Sequence, residues 1–548
     1  MKNYVFDFET TVPKTKEEGT RVWLWCVCDV DDEKQFWWGS GIRTFVRFME
    51  LNPATYWAHN AAFDVEFLFY HLIMSGFEYS EKPRNKTFNA LISNTRKFYQ
   101  AKIYFKAGRK GSNVSIIKDS LKKMPQTVER LAKAYHLPYE KGECDYAKPR
   151  PIGYRPTLDE IDYCLRDVQI VACCLRTQLG LGLDKLTIGA DALAGMKKAI
   201  DWAKTFPVLS LELDSEIREA YKGGFCYVDP RAAQAGIVGC GTVYDVHSMY
   251  PAQMMRALPV GEPTFYPGRY TGRGKATFQR LTFTARIRPD HIPCLQIKKT
   301  AFFRENEYQN VISEPITLTM TGEELDLVNE QYILDVVSWD GCWVFGMGRG
   351  MFDDYINYWY NVKNTSAGAV RENAKLMLNS GYGKLATNPD VTGRTVALGD
   401  DMSVIYPMSE QEFRNPVYTA AAAYITAYGR STTIRAAQAN YSRYRYSDTD
   451  SVHLAGYDAP NAMVVTDGDL GTWGVEHRYQ QARYPRQKTY MLIEDGKKLV
   501  RCAGLAANKR DECELETFKP GMVIPGGKMM QTHVRGGVWL HETDYVMR

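Results

Sequence analysis

The stretch Tyr446-Ser447-Asp448-Thr449-Asp450-Ser451 constrains this chain more than any other. Tyr444 and Tyr446 lead into it, and Val452 and Leu454 follow, so it reads as two short strands joined by a tight turn with Asp448 and Asp450 at the tip. Two carboxylates one residue apart are not buried without compensation, because unpaired buried charge is very costly. A hard cation such as Mg²⁺ is the usual compensation, and it leaves room for water and substrate phosphates. The pattern points to a metal site for phosphoryl chemistry. The plainer alternative is a solvated Asp-Thr-Asp turn, and the remaining motifs have to decide.

At 548 residues the chain is too long for one core, so several domains are expected. A net charge of +4 does not mark the whole protein as a nucleic-acid binder, although a local basic groove stays open to it. The 35 tyrosines are a high count, and aromatics interleaved with Lys and Arg suit stacking on bases as well as core packing. The 12 cysteines show no zinc-ligand spacing and read as reduced packing thiols, which argues against a disulfide scaffold. Met1-Lys2 runs directly into a strand-like segment, so no signal peptide is expected. No apolar run is long enough to span a bilayer, and the expected location is the cytoplasm.

The first third carries acids in an ordered series. Tyr4 to Glu9 alternates, with Tyr4, Phe6 and Phe8 on one face and Val5, Asp7 and Glu9 on the other. Trp57 to Asp64 reads as a loop entering an amphipathic helix, with Asp64 near its start, as a cap or as a third acid. Residues 116–136 read as helical from Asp119-Ser120-Leu121 onward, and a loop rich in Lys, Gly, Asp and Pro spans Lys141 to Arg155. Thr157 to Leu179 reads as a helix opened by a capping box, and within it Tyr163 and Asp167 share a face. In order these are D-x-E, N-x-x-x-D and Y-x-x-x-D. Together they resemble the three motifs of DnaQ-like 3′–5′ exonucleases. That resemblance implies two-metal phosphodiester hydrolysis, with Asp7, Glu9, Asp64 and Asp167 holding two cations about 4 Å apart and Tyr163 orienting water or phosphate.

The remaining two-thirds supplies a second set. Tyr221-Lys222-Gly223-Gly224 offers two glycines for close backbone approach and a lysine for a phosphate. Val243 to Pro251 reads as a strand and a turn ended by proline. Asp245 is a candidate third ligand for the Asp448/Asp450 site, and the backbone after it, at Val246 and Ser248, could hold a triphosphate, with Tyr250 placed to pack under a sugar. Lys375, Asn379 and Tyr382 fall on one face of a helix running into a glycine-rich end, and Lys363 and Arg371 lie near that face. Thr426 and Arg430 precede the hairpin, and Lys488 and Tyr490 alternate onto one strand face suited to a primer end.

This set resembles family B DNA polymerases. The matching residues are Asp245 to Pro251, Lys375-x-x-x-Asn379-Ser-Gly-Tyr382-Gly383, Tyr446 to Ser451, and Lys488-Thr-Tyr490. It is similar in particular to the protein-primed subgroup of small phages, the phi29-like enzymes. The supporting stretches are Asp119 to Lys123, Gly142-Glu143-Cys144-Asp145-Tyr146, Ser248 to Met254 and Asn388 to Gly393. Three residues depart from that pattern: His247 for asparagine, Gly381 for leucine and Ser447 for cysteine. The segment from Tyr490 to Cys502 is also short.

The resemblance implies an α/β and α+β multidomain fold: an RNase H-like exonuclease domain (residues 1–187) and a right-hand polymerase domain (188–548). The latter divides into palm (188–255 and 416–502), fingers (351–386) and thumb (503–548), with two subgroup insertions (256–350 and 387–415). It implies template-directed DNA synthesis with proofreading, protein-primed, processive and strand-displacing, on a linear viral or plasmid-like genome. Two Mg²⁺ ions per site are implied, with Mn²⁺ as a substitute. Asp245, the Val246 backbone and Asp450 would hold those of the polymerase site, with Asp448 as a weaker ligand. Lys363, Arg371 and Lys375 would neutralise the triphosphate, Asn379 and Tyr382 would face the nucleotide, and Tyr250 would exclude a 2′-hydroxyl. Tyr221, Gly223, Gly224, Thr426, Arg430, Lys488 and Tyr490 would contact DNA. Lys141 would assist the exonuclease, and His59, Asn60, Phe63, Ser120 and Leu121 would guide a frayed 3′ strand. Implied partners are template-primer DNA, dNTPs and a terminal protein, with the enzyme a monomer. Two rival readings are a family B enzyme extending ordinary nucleic-acid primers and a binding protein on a degenerate polymerase scaffold. Intact acid sets disfavour the second, since carboxylates beside phosphates only weaken binding.

Overall fold

A computed structural model describes residues 1–108, 111–142, 144–146, 148–297 and 307–548. Glu143, within one of the subgroup stretches, lies outside the described residues. The N-terminal unit is an eight-stranded mixed sheet in the order Phe36–Gly39, Val22–Asp29, Asn3–Thr10, Thr55–Ala58, Asn113–Asp119, Phe98–Lys106, Thr87–Ile92, Glu78–Tyr79. The alternation of the first strand sorts its two faces. Tyr4, Phe6 and Phe8 join a core with Phe45 and with Phe67 of the helix Asp64–Met74. Val5 packs on the other side, against Ile161, Leu165 and Val168 of the helix Leu158–Gly180. That helix has the expected capping box, with Thr157 accepting from the Glu160 N–H and Glu160 accepting from the Thr157 N–H.

The helix expected from Asp119 onward is mostly not one. Ile116 and Ile117 pair with Thr55 and Tyr56 in a parallel ladder, Ser120–Lys122 is a single 3₁₀ turn, and the α-helix starts only at Val128, after Pro125. Pro125, with no N–H to donate and a bias against helix at Met124, keeps the α-helix from starting earlier.

The central sheet is antiparallel, in the order Trp473–Tyr479, Gly241–Val246, Ser451–Ala455, Tyr444–Thr449, Phe225–Val228. The alanine-rich helix Thr419–Ala439 packs against it and is buried on nearly all sides, as an apolar helix between layers must be. Residues 258–348 add a separate four-stranded sheet with the helix Gly322–Gln331. Two helices, Asp353–Thr365 and Gly368–Leu385, pack on each other and on Ile188–Ala199. The second does not stop at its glycines. It runs through Gly381 and Gly383, and a side chain at 381 would press on Met196, with a Cβ 3.3 Å from its sulfur.

Two small elements close on the N-terminal unit. Val396, Val404 and Tyr406, around a two-stranded hairpin, and Val538, from the C-terminal hairpin Val523–Val534/Gly537–Val546, belong to the core of Phe6 and Phe67. Gly537 (φ +154°) sits where a Cβ would meet the Phe67 ring at 2.5 Å, so only glycine lets the hairpin dock this closely. Among the described residues no helix is long and apolar enough to cross a membrane, and every described cysteine is free.

Two carboxylate sites

The first site lies where the strand Asn3–Thr10 ends. Asp7, Glu9, Asp64, Asp167, Tyr163 and Lys141 line one cavity of about 860 Å³, together with His59, Asn60 and Phe63. Lys141 Nζ is 3.3 Å from Asp167 Oδ2, and the hydroxyls of Tyr163 and Tyr146 are 2.8 Å apart. Burial, then the charge of Asp167, pushes the Asp7 carboxyl up to about 7. Glu9 and Asp64 are raised well above the usual carboxylate range, again by burial first and Asp7 second. Asp64 Oδ1 and Asp167 Oδ1 are buried with no hydrogen-bond partner. Crowded carboxylates with orphaned oxygens fit divalent cations, whose charge would remove the mutual repulsion.

The residues expected to guide a strand divide into two groups. Asn60 (φ +67°) and Phe63 line the cavity. His59 also borders the cavity but is engaged on both ring nitrogens, at 3.0 Å from Ser120 Oγ and 2.7 Å from the Gln126 carbonyl, and Ser120 is fully buried and donates to the Ala58 carbonyl. These two brace the loop. Leu121 is half-buried, its N–H donating to Asp119 Oδ1. No motif announced the opposite wall, which comes from Gln531, Trp539 and His541 of the C-terminal hairpin. Only the W-x-H alternation hints that these side chains share a face.

The second site is the expected hairpin. Tyr444–Thr449 and Ser451–Ala455 pair with Asp448 opposite Ser451, and Thr449 takes φ +65° at the tip. Asp245 pairs with Ser451 on the neighbouring strand, and the Val246 N–H donates to the Asp450 carbonyl at 3.0 Å. A cavity of about 390 Å³ collects Asp245, Val246, Ser248, Tyr250, Lys363, Lys375, Asn379, Tyr382 and Asp450. Tyr250 stacks on Tyr382 with centroids 4.1 Å apart. Burial, then Asp450 and Glu476, raises Asp245 to about 8, and Asp450 is lifted to about 6 by burial with Asp448 and Glu476. Glu476, on the strand beside Asp245, belongs to none of the sequence motifs. Lys363 is lowered by burial and by the neighbouring charges of Arg371 and Lys375. Paired acids facing clustered cations fit a metal–triphosphate.

Several expectations need correction. Pro251 does not end a turn; it lies in the first turn of the helix Met249–Met254, where its missing N–H leaves no bond unmade. Lys222 does not face phosphate: it is buried and donates to Glu324 at 2.5 Å. Arg430 is buried too, donating to Glu324 and to the carbonyls of Lys222 and Gly223, and Thr426 beside it is buried. Neither offers DNA a free surface. Tyr221 is half-buried and packs on the core near Tyr382. Lys488 is not on the strand of Tyr490. It sits in the preceding turn at φ +57° and ion-pairs with Asp448, while Tyr490 packs against Tyr446 and His453.

Comparison with known proteins decides the family. The profile described as "DNA polymerase type B, organellar and viral" matches residues 148–467. The chain belongs to that family. The polymerase is 37% identical to the DNA polymerase of Bacillus phage phi29, covering all of this chain and 99% of that one. It is 37% identical to the Bacillus phage Nf enzyme and 28% to that of Streptococcus phage Cp-1, over 100% and 98% of those chains. A structure of phi29 DNA polymerase complexed with single-stranded DNA superposes with TM-score 0.95 at 35% identity over both full chains. Its complex with primer-template DNA and incoming nucleotide gives 0.93 at 36%. The polymerase is thus phi29-like, with the multidomain exonuclease-plus-right-hand fold that its motifs led one to expect, and family B polymerases use divalent metal ions.

Proposed function

We propose that the polymerase copies DNA at the hairpin site and proofreads at the N-terminal site. The observation that carries this is the presence of two separate carboxylate clusters, one facing cations and stacked tyrosines, the other facing a lysine, a tyrosine and a strand-sized cavity. The N-terminal sheet with the helix Leu158–Gly180 forms the exonuclease domain (1–187). The central sheet forms the palm, the helices from Asp353 to Leu385 the fingers, and the C-terminal hairpin the thumb. Residues 256–350 and 387–415 are the two insertions, and the first of them meets a terminal protein that primes synthesis on a linear genome. Template-primer DNA and dNTPs are the substrates of a processive, strand-displacing monomer.

Asp245, Asp450 and the Val246 backbone would hold two Mg²⁺ at the polymerase site; Asp7, Glu9, Asp64 and Asp167 would hold two at the other. Bound there, the ions would stabilise attacking and leaving oxygens. The chain's own groups do the rest. Lys363 and Lys375 bind the triphosphate, and Arg371 supports them by donating to the Lys363 carbonyl at 2.8 Å. The Tyr250–Tyr382 stack forms a platform under the new sugar and base. Lys488 neutralises Asp448, which makes that carboxylate the weaker metal ligand. The primer 3′ oxygen bonds to the α-phosphorus, and the bond to the bridging oxygen breaks to release pyrophosphate. In the other cavity Tyr163 orients water, and Lys141 beside Asp167 favours its charged form against the opposing effect of burial.

Paired variants test the division. Asp450→Ala is expected to abolish primer extension and spare digestion of single-stranded DNA, and Asp7→Ala with Asp64→Ala to do the reverse. A folded single-site variant lacking both activities would sink the two-site reading. Transfer of a dNMP to a protein hydroxyl separates protein priming from extension of ordinary primers.

A further inference from the structure

We propose that Tyr360 is a positioning residue of nucleotide addition: its hydroxyl fastens the helix Asp353–Thr365 to the loop 466–472 while its ring seats the Lys363 ammonium above Ser248. The inference rests on the reading that the cavity of Asp245, Lys363 and Lys375 takes the dNTP. None of the sequence motifs contains Tyr360.

Tyr360 and Lys363 are one turn apart on their helix and so project to one side. The Tyr360 hydroxyl donates to the Gly468 carbonyl. The Lys363 ammonium lies 5.0 Å from the centre of the Tyr360 ring, within the range of a cation–π contact. The same ammonium donates to Ser248 Oγ at 3.0 Å. One tyrosine therefore makes two distinct contacts, by ring and by hydroxyl.

The loop that receives the hydroxyl is tied to the catalytic strand. Thr466 and Thr472 bring their hydroxyls to 2.6 Å, Thr472 Oγ1 donates to the Asp469 carbonyl at 2.7 Å, and the Asp469 N–H donates to Thr466 Oγ1 at 3.2 Å. His247, two residues after Asp245, holds both ends. Its N–H donates to the Thr472 carbonyl and its carbonyl accepts from Gly471, each at 2.9 Å, and its ring nitrogen is 3.2 Å from the Thr466 carbonyl. The ring fills space left by Gly474, where a Cβ would come within 2.5 Å of it. Histidine at 247 thus has a structural reason: it spans to Thr466. The route from Asp245 to Lys363 runs through His247, the loop, and Tyr360.

The clasp matters because Lys363 shares its surroundings with Arg371 and Lys375. Three like charges repel, and without anchors Lys363 would swing toward solvent. Holding it in place beforehand removes an ordering cost from nucleotide binding. Loss of the hydroxyl should then weaken dNTP binding more than it slows chemistry.

The test is steady-state primer extension with varied dNTP on the full-length enzyme. Tyr360→Phe keeps the ring and is expected to raise KM for dNTP about 3- to 10-fold, the worth of one net hydrogen bond, with kcat within about twofold. Digestion of single-stranded DNA should be unaffected. Tyr360→Ala, which also removes the seat of Lys363, should raise KM further. Thr466→Ala, which loosens the loop from the far side, should raise KM alone and add little to Tyr360→Phe, the mark of a shared path. An unchanged KM for Tyr360→Phe, with Lys375→Ala raising KM, would overturn the clasp. So would a parallel fall of synthesis and digestion, which marks a general structural defect. If Lys375→Ala leaves KM unchanged, the nucleotide reading of the cavity falls instead.

Discussion

At Gly224 an added Cβ would lie 2.6 Å from Thr449 Cγ2 and 2.9 Å from the Tyr250 hydroxyl. The glycine is therefore set by the closeness of the hairpin tip and the Tyr250 hydroxyl. A methyl group there must push one of them aside, at about 1–3 kcal/mol for overpacking. Gly224→Ala is expected to lower kcat/KM for primer extension about 5- to 100-fold while digestion of single strands stays intact, measured on one preparation. The neighbouring residues show what single-residue reading reaches. Asp245, Asp448, Asp450, Lys375, Asn379 and Tyr382 were legible because their chemistry dictates their identity and spacing. Lys222 and Arg430 were not, because their partner Glu324 lies about a hundred residues away in sequence, and a cation does not show which anion it has met.

Glu324 belongs to the scale of elements. From the helix Gly322–Gln331 it reaches Lys222 at 2.5 Å and Arg430 at 3.3 Å, with all three side chains at or below 5% exposure. The helix Thr419–Ala439, the Gly223–Gly224 turn and the added sheet of residues 258–348 thereby share one buried charge centre. Removing the anion strands two cations, so Glu324→Ala should cost about 3–5 kcal/mol, seen as a lower urea midpoint. Glu324→Gln, which can still accept hydrogen bonds, should cost less. Elements were legible where local signals agree, as in the capping box at Thr157 and Glu160. They were misread where a proline interrupts the pattern: the run expected to be helical from Asp119 holds one 3₁₀ turn at Ser120–Lys122 and becomes an α-helix only at Val128, after Pro125.

At the scale of the molecule, three remote segments meet at Glu66. It is buried in the helix that begins with Asp64, accepts from the Tyr406 hydroxyl at 2.6 Å, and lies 3.3 Å from His533 of the C-terminal hairpin. Contact with Glu66 raises the His533 imidazole above its ordinary value, against the opposing effect of burial. A histidine raised in the folded state stabilises fully below its unfolded value of about 6.5, and that gain disappears as pH rises through the folded value. The Tm difference between wild type and His533→Gln should therefore be largest near pH 6 and shrink toward pH 9. A difference that grows with pH would contradict the pairing. None of this was legible in the motifs, since Glu66, Tyr406 and His533 each look like an ordinary surface or core residue alone.

The hairpin that carries His533 and Trp539 follows every other described strand. During synthesis the N-terminal sheet can form once the helix Leu158–Gly180 has emerged, yet Phe67 and its acid cavity wait for Gly537 and Val538. At about 5–20 residues per second that wait is on the order of tens of seconds. Until that hairpin emerges, the N-terminal domain keeps an uncovered apolar face and an unfinished cavity wall, so its completion depends on a segment made long after its own strands.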